Sequence, residues 1–139
     1  MLLVGDFNMD DDVLPANRLN NSTRILYVED STVNILLDGL KIAGASSLGV
    51  FVGGDNDMSD TGTVVIRNSE FVANNTALSF SASTALPPSR FEVDNVFFHG
   101  NSRGVYSSVV VSALIKNSSF IGNMGYGPGV HIASYDGGE

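Results

Sequence analysis

Read for its hydrophobic and polar positions, the chain breaks into short apolar runs separated by polar turns. No segment sustains the 3.6-residue spacing of an amphipathic helix. Four nine-residue segments instead align without gaps: 37–45 (LDGLKIAGA), 66–74 (IRNSEFVAN), 93–101 (VDNVFFHGN) and 115–123 (IKNSSFIGN). Three of them read aliphatic-x-Asn-x-x-Phe-x-x-Asn, and successive first residues lie 29, 27 and 22 positions apart. A repeat with loops of differing length is the organising feature of this sequence.

Each column of the repeat has a physical meaning. The first is aliphatic (Leu37, Ile66, Val93, Ile115) and the sixth large and apolar (Ile42, Phe71, Phe98, Phe120), so both predict buried stacks. The third holds Gly39, Asn68, Asn95 and Asn117, types that tolerate left-handed backbone and satisfy a bend. The eighth (Gly44, Ala73, Gly100, Gly122) leaves room for close backbone approach, and the ninth (Ala45, Asn74, Asn101, Asn123) is a second Asn column. The unit thus predicts a strand, a bend at the third position, a second strand and a turn. β-branched lead-ins at 32–35, 63–65, 90–92 and 109–113 precede the units, and third strands at 49–52, 77–80, 104–106 and 129–132 follow them. Asn68, Asn95 and Asn117 predict a structural ladder, bonding one another and the backbone to offset burial of their amides. This spacing suits a solenoid with one coil per repeat. An antiparallel sandwich is the rival, since regularly spaced short strands alone also permit it.

Charge supports the stacked arrangement. The second column reads Asp38, Arg67, Asp94, Lys116, and the fifth sets Lys41 beside Glu70. If strands stack about 4.8 Å apart, every neighbour in the second column carries the opposite sign. Such pairs contribute roughly 0.2–1 kcal/mol each. They read as a solvated ladder rather than as catalytic groups.

Composition narrows the function classes. At 139 residues the chain holds one domain, and 43% apolar against 16% charged residues argues against disorder. Asn (13), Gly (15) and Ser (17) make up about a third of it, which favours turns over helices. Seven Lys and Arg face 15 Asp and Glu, and the net charge of -8 repels a phosphate backbone, so nucleic acid is not an expected partner. The absence of cysteine excludes disulfides, thiolate metal sites and Cys nucleophiles. The longest apolar stretch, 109–115, is interrupted by Ser112 and is too short to span a bilayer. Residues 1–4 are followed at once by Gly5 and Asp6, unlike a signal peptide, so any export signal is expected outside this chain.

The aliphatic-x-Asn-Ser-x-Phe-x-Gly-Asn unit, with Leu37-Asp38-Gly39-Leu40-Lys41-Ile42, resembles the repeat of right-handed parallel β-helix proteins of the pectin-lyase-like kind. Leu2-Leu3-Val4-Gly5-Asp6 and Arg24-Ile25-Leu26-Tyr27-Val28 look like the coil that precedes such an element. The resemblance covers 22–133 well and 2–21 loosely. It implies an all-β, right-handed parallel β-helix solenoid of about four to five coils at 22–133. Residues 1–21 are then an irregular amino-terminal segment or incomplete first coil, and 134–139 a truncated tail. The expectation is a fragment of a longer solenoid, its partners including flanking β-helix coils of the same protein. The kind spans lyases, hydrolases, epimerases, tail fibres and adhesins, so it implies a fold and an extracellular or cell-surface location rather than one activity.

Candidate chemistry follows from that comparison. Hydrolases of this kind use clustered Asp with His and a basic residue, one carboxyl protonating the leaving oxygen and another activating water. Asp10, Asp11 and Asp12 lie off the repeat, while His99 and Arg103 are the nearest echo of the His and basic motifs. The outward column of His99 supplies Ala43, Val72 and Ile121, not acids. Lyases of this kind use a Lys or Arg base with calcium, but Arg67 and Lys116 belong to the charge ladder. The stretch 53–60 (GGDNDMSD) has alternating oxygen ligands, as a calcium loop requires, with Asp55, Asp57 and Asp60 as the calcium candidates; it lacks the closing Glu and reads first as a hydrated acidic loop with calcium as the alternative. His99 and His131 stand outward on different strands and make no metal site. The sequons at Asn20, Asn21, Asn74 and Asn117 are what an Asn-rich repeat produces by composition. Tyr106 and Tyr126 are the candidates for stacking on sugar rings. The expected function is a non-catalytic extracellular scaffold, adhesive or carbohydrate-contacting, with polysaccharide or cell-surface glycan as partner and no cofactor. The alternative is a fragment of a polysaccharide lyase or hydrolase whose catalytic coils lie outside this chain.

Overall fold

The computed structural model describes residues 1–4, 24–28, 34–53, 63–81, 90–107 and 112–132. Among them the chain is all-β, without helix, and every strand pairing is parallel. The first two strands are β1 (Leu2–Val4) and β2 (Arg24–Val28). The first repeat gives β3 (Ile35–Asp38), β4 (Lys41–Ala43) and β5 (Leu48–Gly53). The second gives β6 (Thr63–Val72) and β7 (Thr76–Ser81), and the third β8 (Arg90–His99) and β9 (Arg103–Ser107). The fourth gives β10 (Ser112–Lys116), β11 (Ser119–Ile121) and β12 (Val130–Ile132). Strands β1, β3, β4, β6, β8, β10 and β11 make a seven-stranded sheet, and β12-β9-β7-β5-β2 a five-stranded one.

Equivalent positions of successive repeats are strand neighbours. Leu37 pairs with Ile66, Ile66 with Val93 and Val93 with Ile115; Ile42 pairs with Phe71, Phe71 with Phe98 and Phe98 with Phe120. The upstream strands follow the same rule, β1 pairing with β4 and β2 with β5. The bends have the backbone their residue types allow. Gly39, Asn68, Asn95 and Asn117 have φ of +67°, +50°, +54° and +52°, and the eighth-column Gly44, Ala73, Gly100 and Gly122 are left-handed too. The third-position bend does not break every strand. β6 and β8 run ten residues through Asn68 and Asn95, whereas the outer repeats split into β3/β4 and β10/β11. Both unbroken strands are paired along each edge, β6 with β3, β4 and β8, and β8 with β6, β10 and β11.

The core lies between the two sheets. Rings of Phe71 and Phe98 stack at 5.1 Å and of Phe98 and Phe120 at 4.6 Å, while Phe80 of β7 stacks on Phe91 of β8 at 4.0 Å and so joins the sheets. Gly104 makes room for this column: a Cβ there would sit 2.7 Å from the Phe120 ring and 2.5 Å from the Gly129 carbonyl. Burial of the aromatic stack predicts that Phe98→Ala lowers unfolding free energy by about 3–5 kcal/mol. Its sequence neighbour Phe97, 38% exposed, should cost under about 1 kcal/mol as Phe97→Ala. Urea unfolding of both variants checks the alternation, and equal losses would contradict it.

Candidate functional site

The charged side chains of the described residues gather mainly on the outer face of the seven-stranded sheet. Strand alternation turns Val64, Ile66 and Phe71 into the core and leaves Arg67 outward and Glu70 half-buried at the surface. Register then sets opposite charges side by side. Arg67 binds Asp38 through Nε and Nη2 at 2.9 and 2.8 Å. Lys116 reaches Glu92 at 2.7 Å and Asp94 at 3.5 Å, and Arg90 lies 3.9 Å from Glu92. Lys41 meets Glu70 at 3.0 Å.

Glu70 has a second partner. The His99 ring nitrogen Nε2 lies 2.7 Å from Glu70 Oε1, and the imidazole stacks on Phe97 at 4.6 Å. The contact is diagonal, from the seventh column of one repeat to the fifth of its neighbour. The hydrogen bond from His99, joined by Lys41, holds the Glu70 carboxyl below its ordinary value of 4.5. Asn68, with Arg67, lowers Asp38; Asn117, with Lys116, lowers Asp94; and Glu92, with Asp94, raises Lys116. A carboxyl kept ionised in this way has no proton to give near neutral pH, so Glu70 is poorly suited to act as a general acid.

His99 and Arg103 belong to different settings. His99 ends β8 on the seven-stranded sheet, whereas Arg103 opens β9 on the five-stranded sheet, its guanidinium 5.4 Å from the centre of the Tyr106 ring. Tyr106 is itself stacked on His131 at 5.5 Å, and Tyr126 stands between β11 and β12, 89% exposed. One aromatic pair was not anticipated: Tyr27 stacks on Phe51 at 5.2 Å with Arg24 lying over both rings. Tyr27, Phe51, Ser79, Tyr106 and His131 form one column of paired positions, with Ser79 buried and the four ring residues reaching the surface. Aligning the third strands by their inward residues exposes that column in the sequence. Asp10, Asp11 and Asp12, the calcium candidates Asp55, Asp57 and Asp60, and the sequons at Asn20 and Asn21 lie outside the described residues.

The two asparagine columns have different roles: the third forms the expected side-chain ladder between Asn95 and Asn68, but it is exposed rather than buried. Asn68, Asn95 and Asn117 are exposed and bond mainly side chains: Asn95 Nδ2 donates to Asn68 Oδ1, Asn68 Nδ2 to Asp38 and Asn117 Nδ2 to Asp94. The ladder that holds backbone is the ninth column. Asn101 Oδ1 accepts from the Asn74 amide N–H and from Asn74 Nδ2, while Asn101 Nδ2 donates to the Phe71 carbonyl and to Asn123 Oδ1. Asn74 and Asn123 make the equivalent bonds to the carbonyls of Ile42 and Phe98. Asn74 is buried with its amide engaged, which leaves no room for a glycan in the fold; Asn117 is exposed.

No protein-family model, curated protein or solved structure matches the chain. Among the described residues no three His, Asp or Glu side chains gather as a metal site, and no helix is long and apolar enough to cross a membrane.

The lowered Glu70 pKa has a direction in pH. A carboxyl held down in the folded state adds stability above its unfolded value, and that stability is lost as pH falls through the folded value. Asp38 and Asp94 carry the same sign. Glu70→Gln should therefore be less stable at neutral pH but flatten the fall in stability below about pH 4.5. Thermal unfolding from pH 7 to 3 reads this, and a wild-type slope retained in the variant would contradict it.

Proposed function

We propose that this chain is part of a right-handed parallel β-helix of the pectin-lyase-like kind, and that it serves as a non-catalytic surface scaffold contacting neutral glycan. The fold reading is supported by parallel strands that pair equivalent positions of four repeats. The functional reading rests on one observation: all four carboxylates among the described residues, Asp38, Glu70, Glu92 and Asp94, are engaged in ion pairs. Glycoside cleavage by two carboxyls needs one protonated and one free to activate water. A face of mutually neutralised charges supplies neither. Lyase chemistry needs a base beside a neutralised uronate; Lys41, Arg67, Arg90 and Lys116 have carboxylate partners, while Arg103 lies over the Tyr106 ring on the other sheet and is the base left to test.

Net charge directs the choice of glycan. At -8 the chain repels polyuronates, whereas neutral sugar rings suffer no such penalty and can lie against Tyr126 and the edge of Tyr106. Extracellular or cell-surface placement belongs to this proposal through the family resemblance. The 139-residue chain should release no unsaturated uronide from polygalacturonate or alginate, with or without calcium, and should be retarded only by neutral polysaccharide in affinity electrophoresis. Turnover that disappears in Arg103→Ala would replace the scaffold reading with a lyase.

A further inference from the structure

The ring column on the outer face of the five-stranded sheet lacks one rung. Tyr27 stacks on Phe51 with planes 4° apart, and Tyr106 on His131 with planes 6° apart. Between these pairs the column holds Ser79, strand neighbour of both Phe51 and Tyr106. Each pair uses one face of its inner ring, so the other faces of Phe51 and Tyr106 look toward each other across Ser79. Two strand spacings set the two residues about 9.6 Å apart. In the core, Phe98 fills a gap of the same two spacings, 5.1 Å from the Phe71 ring and 4.6 Å from the Phe120 ring. The gap at Ser79 has the width of one ring.

Two polar groups border this gap. Ser79 lies between Leu78 and Phe80, both in the core, so its side chain stands on the opposite face, at the floor of the gap. It is only 6% exposed, and among the described residues no hydrogen bond reaches its hydroxyl. Leaving a buried hydroxyl unpaired is costly, which favours a ligand that supplies the bond. Arg103 opens the strand of Tyr106, and its guanidinium lies 5.4 Å from the centre of that ring. Lys41, Arg67, Arg90 and Lys116 are paired with carboxylates, whereas Arg103 has no carboxylate partner among the described residues. All four described carboxylates, Asp38, Glu70, Glu92 and Asp94, belong to the other sheet.

We propose that this gap binds a planar aromatic ring carrying a carboxylate, the ring entering between Phe51 and Tyr106 and the carboxylate meeting Arg103. Aromatic rings stack with centroids about 4.5–7 Å apart, which the gap allows on both sides of the ligand. Guanidinium and carboxylate form a charge-assisted, planar pair. A hydroxyl on the ring edge supplies the bond that Ser79 lacks. One negative charge paired at Arg103 escapes most of the repulsion that a polyuronate meets along its length. The site stands apart from the exposed Tyr126 and does not depend on glycan contact.

Titration of the isotope-labelled chain with para-hydroxybenzoate, followed by nuclear magnetic resonance, tests the proposal. The amide signals of Phe51, Ser79 and Tyr106 should shift saturably, and the ligand's ring protons should move upfield, as they do between two aromatic faces. Cyclohexanecarboxylate, which has the charge without the flat ring, and benzyl alcohol, which has the ring without the charge, should each bind roughly tenfold or more weakly. Arg103→Ala should weaken para-hydroxybenzoate by a similar factor. Ser79→Phe supplies the missing rung from the chain itself, and should abolish binding while native circular dichroism persists. Phe51→Ala removes one wall and should lose the upfield shift, whether or not Ser79→Phe folds. Ligand protons that do not shift with the wild-type chain overturn the proposal, as does full binding retained in Ser79→Phe or Arg103→Ala. A neutral oligosaccharide that shifts the same amides while para-hydroxybenzoate does not overturns it in favour of glycan.

Discussion

A buried turn has to bond its amides, and in this chain it bonds them to the next repeat. Asn74 and Asn101 of the ninth column lie inside the molecule, where an unsatisfied amide costs about 1–3 kcal/mol. Asn101 meets that requirement by accepting from Asn74, donating to the Phe71 carbonyl and bonding Asn123. Those bonds are available only if each repeat sits in register with its neighbour. The left-handed eighth residue shares the constraint, since the N–H groups of Gly44, Ala73 and Gly100 donate to the carbonyls of Val72, His99 and Ile121 in the following repeat. A slip of one residue would break the ladder and turn every inward side chain outward.

Register then decides the chemistry of the surface. When each column meets itself, like residues stack: phenylalanines gain ring contacts, asparagines gain amide bonds, and charges must alternate or repel. The alternation of Asp38, Arg67, Asp94 and Lys116 is the solution to that third problem. It also engages the four carboxylates of the described residues, Asp38, Glu70, Glu92 and Asp94, in ion pairs. Glu70 shows the effect most clearly, since Lys41 and His99 both bind it and hold it ionised.

The repeat columns were legible in the sequence because the nine-residue units align without gaps, so strand neighbours could be read down each column. Parallel pairing was legible for the same reason, through the alternating charges. Three features were not. The two asparagine columns have the same residue type, and only the turn geometry puts Asn74 and Asn101 inside while Asn68 and Asn95 remain outside. The Glu70–His99 contact joins different columns of adjacent repeats, whereas the His99 column itself holds Ala43, Val72 and Ile121. The Tyr27–Phe51 stack was hidden because it lies in the third strands, outside the nine-residue unit whose columns carry the repeat.

The central claim is that equivalent residues of successive repeats are parallel, in-register neighbours. Nuclear Overhauser contacts between assigned protons measure it most directly. The account predicts contacts linking Ile66 to Val93 and Val93 to Ile115, and ring contacts from Phe98 to both Phe71 and Phe120, with the neighbours advancing in the same chain direction. Antiparallel pairs bring non-hydrogen-bonded Cα atoms to about 4.5 Å and give strong Hα–Hα contacts between residues running in opposite order. That pattern between the segments around Ile66 and Val93 would contradict the account.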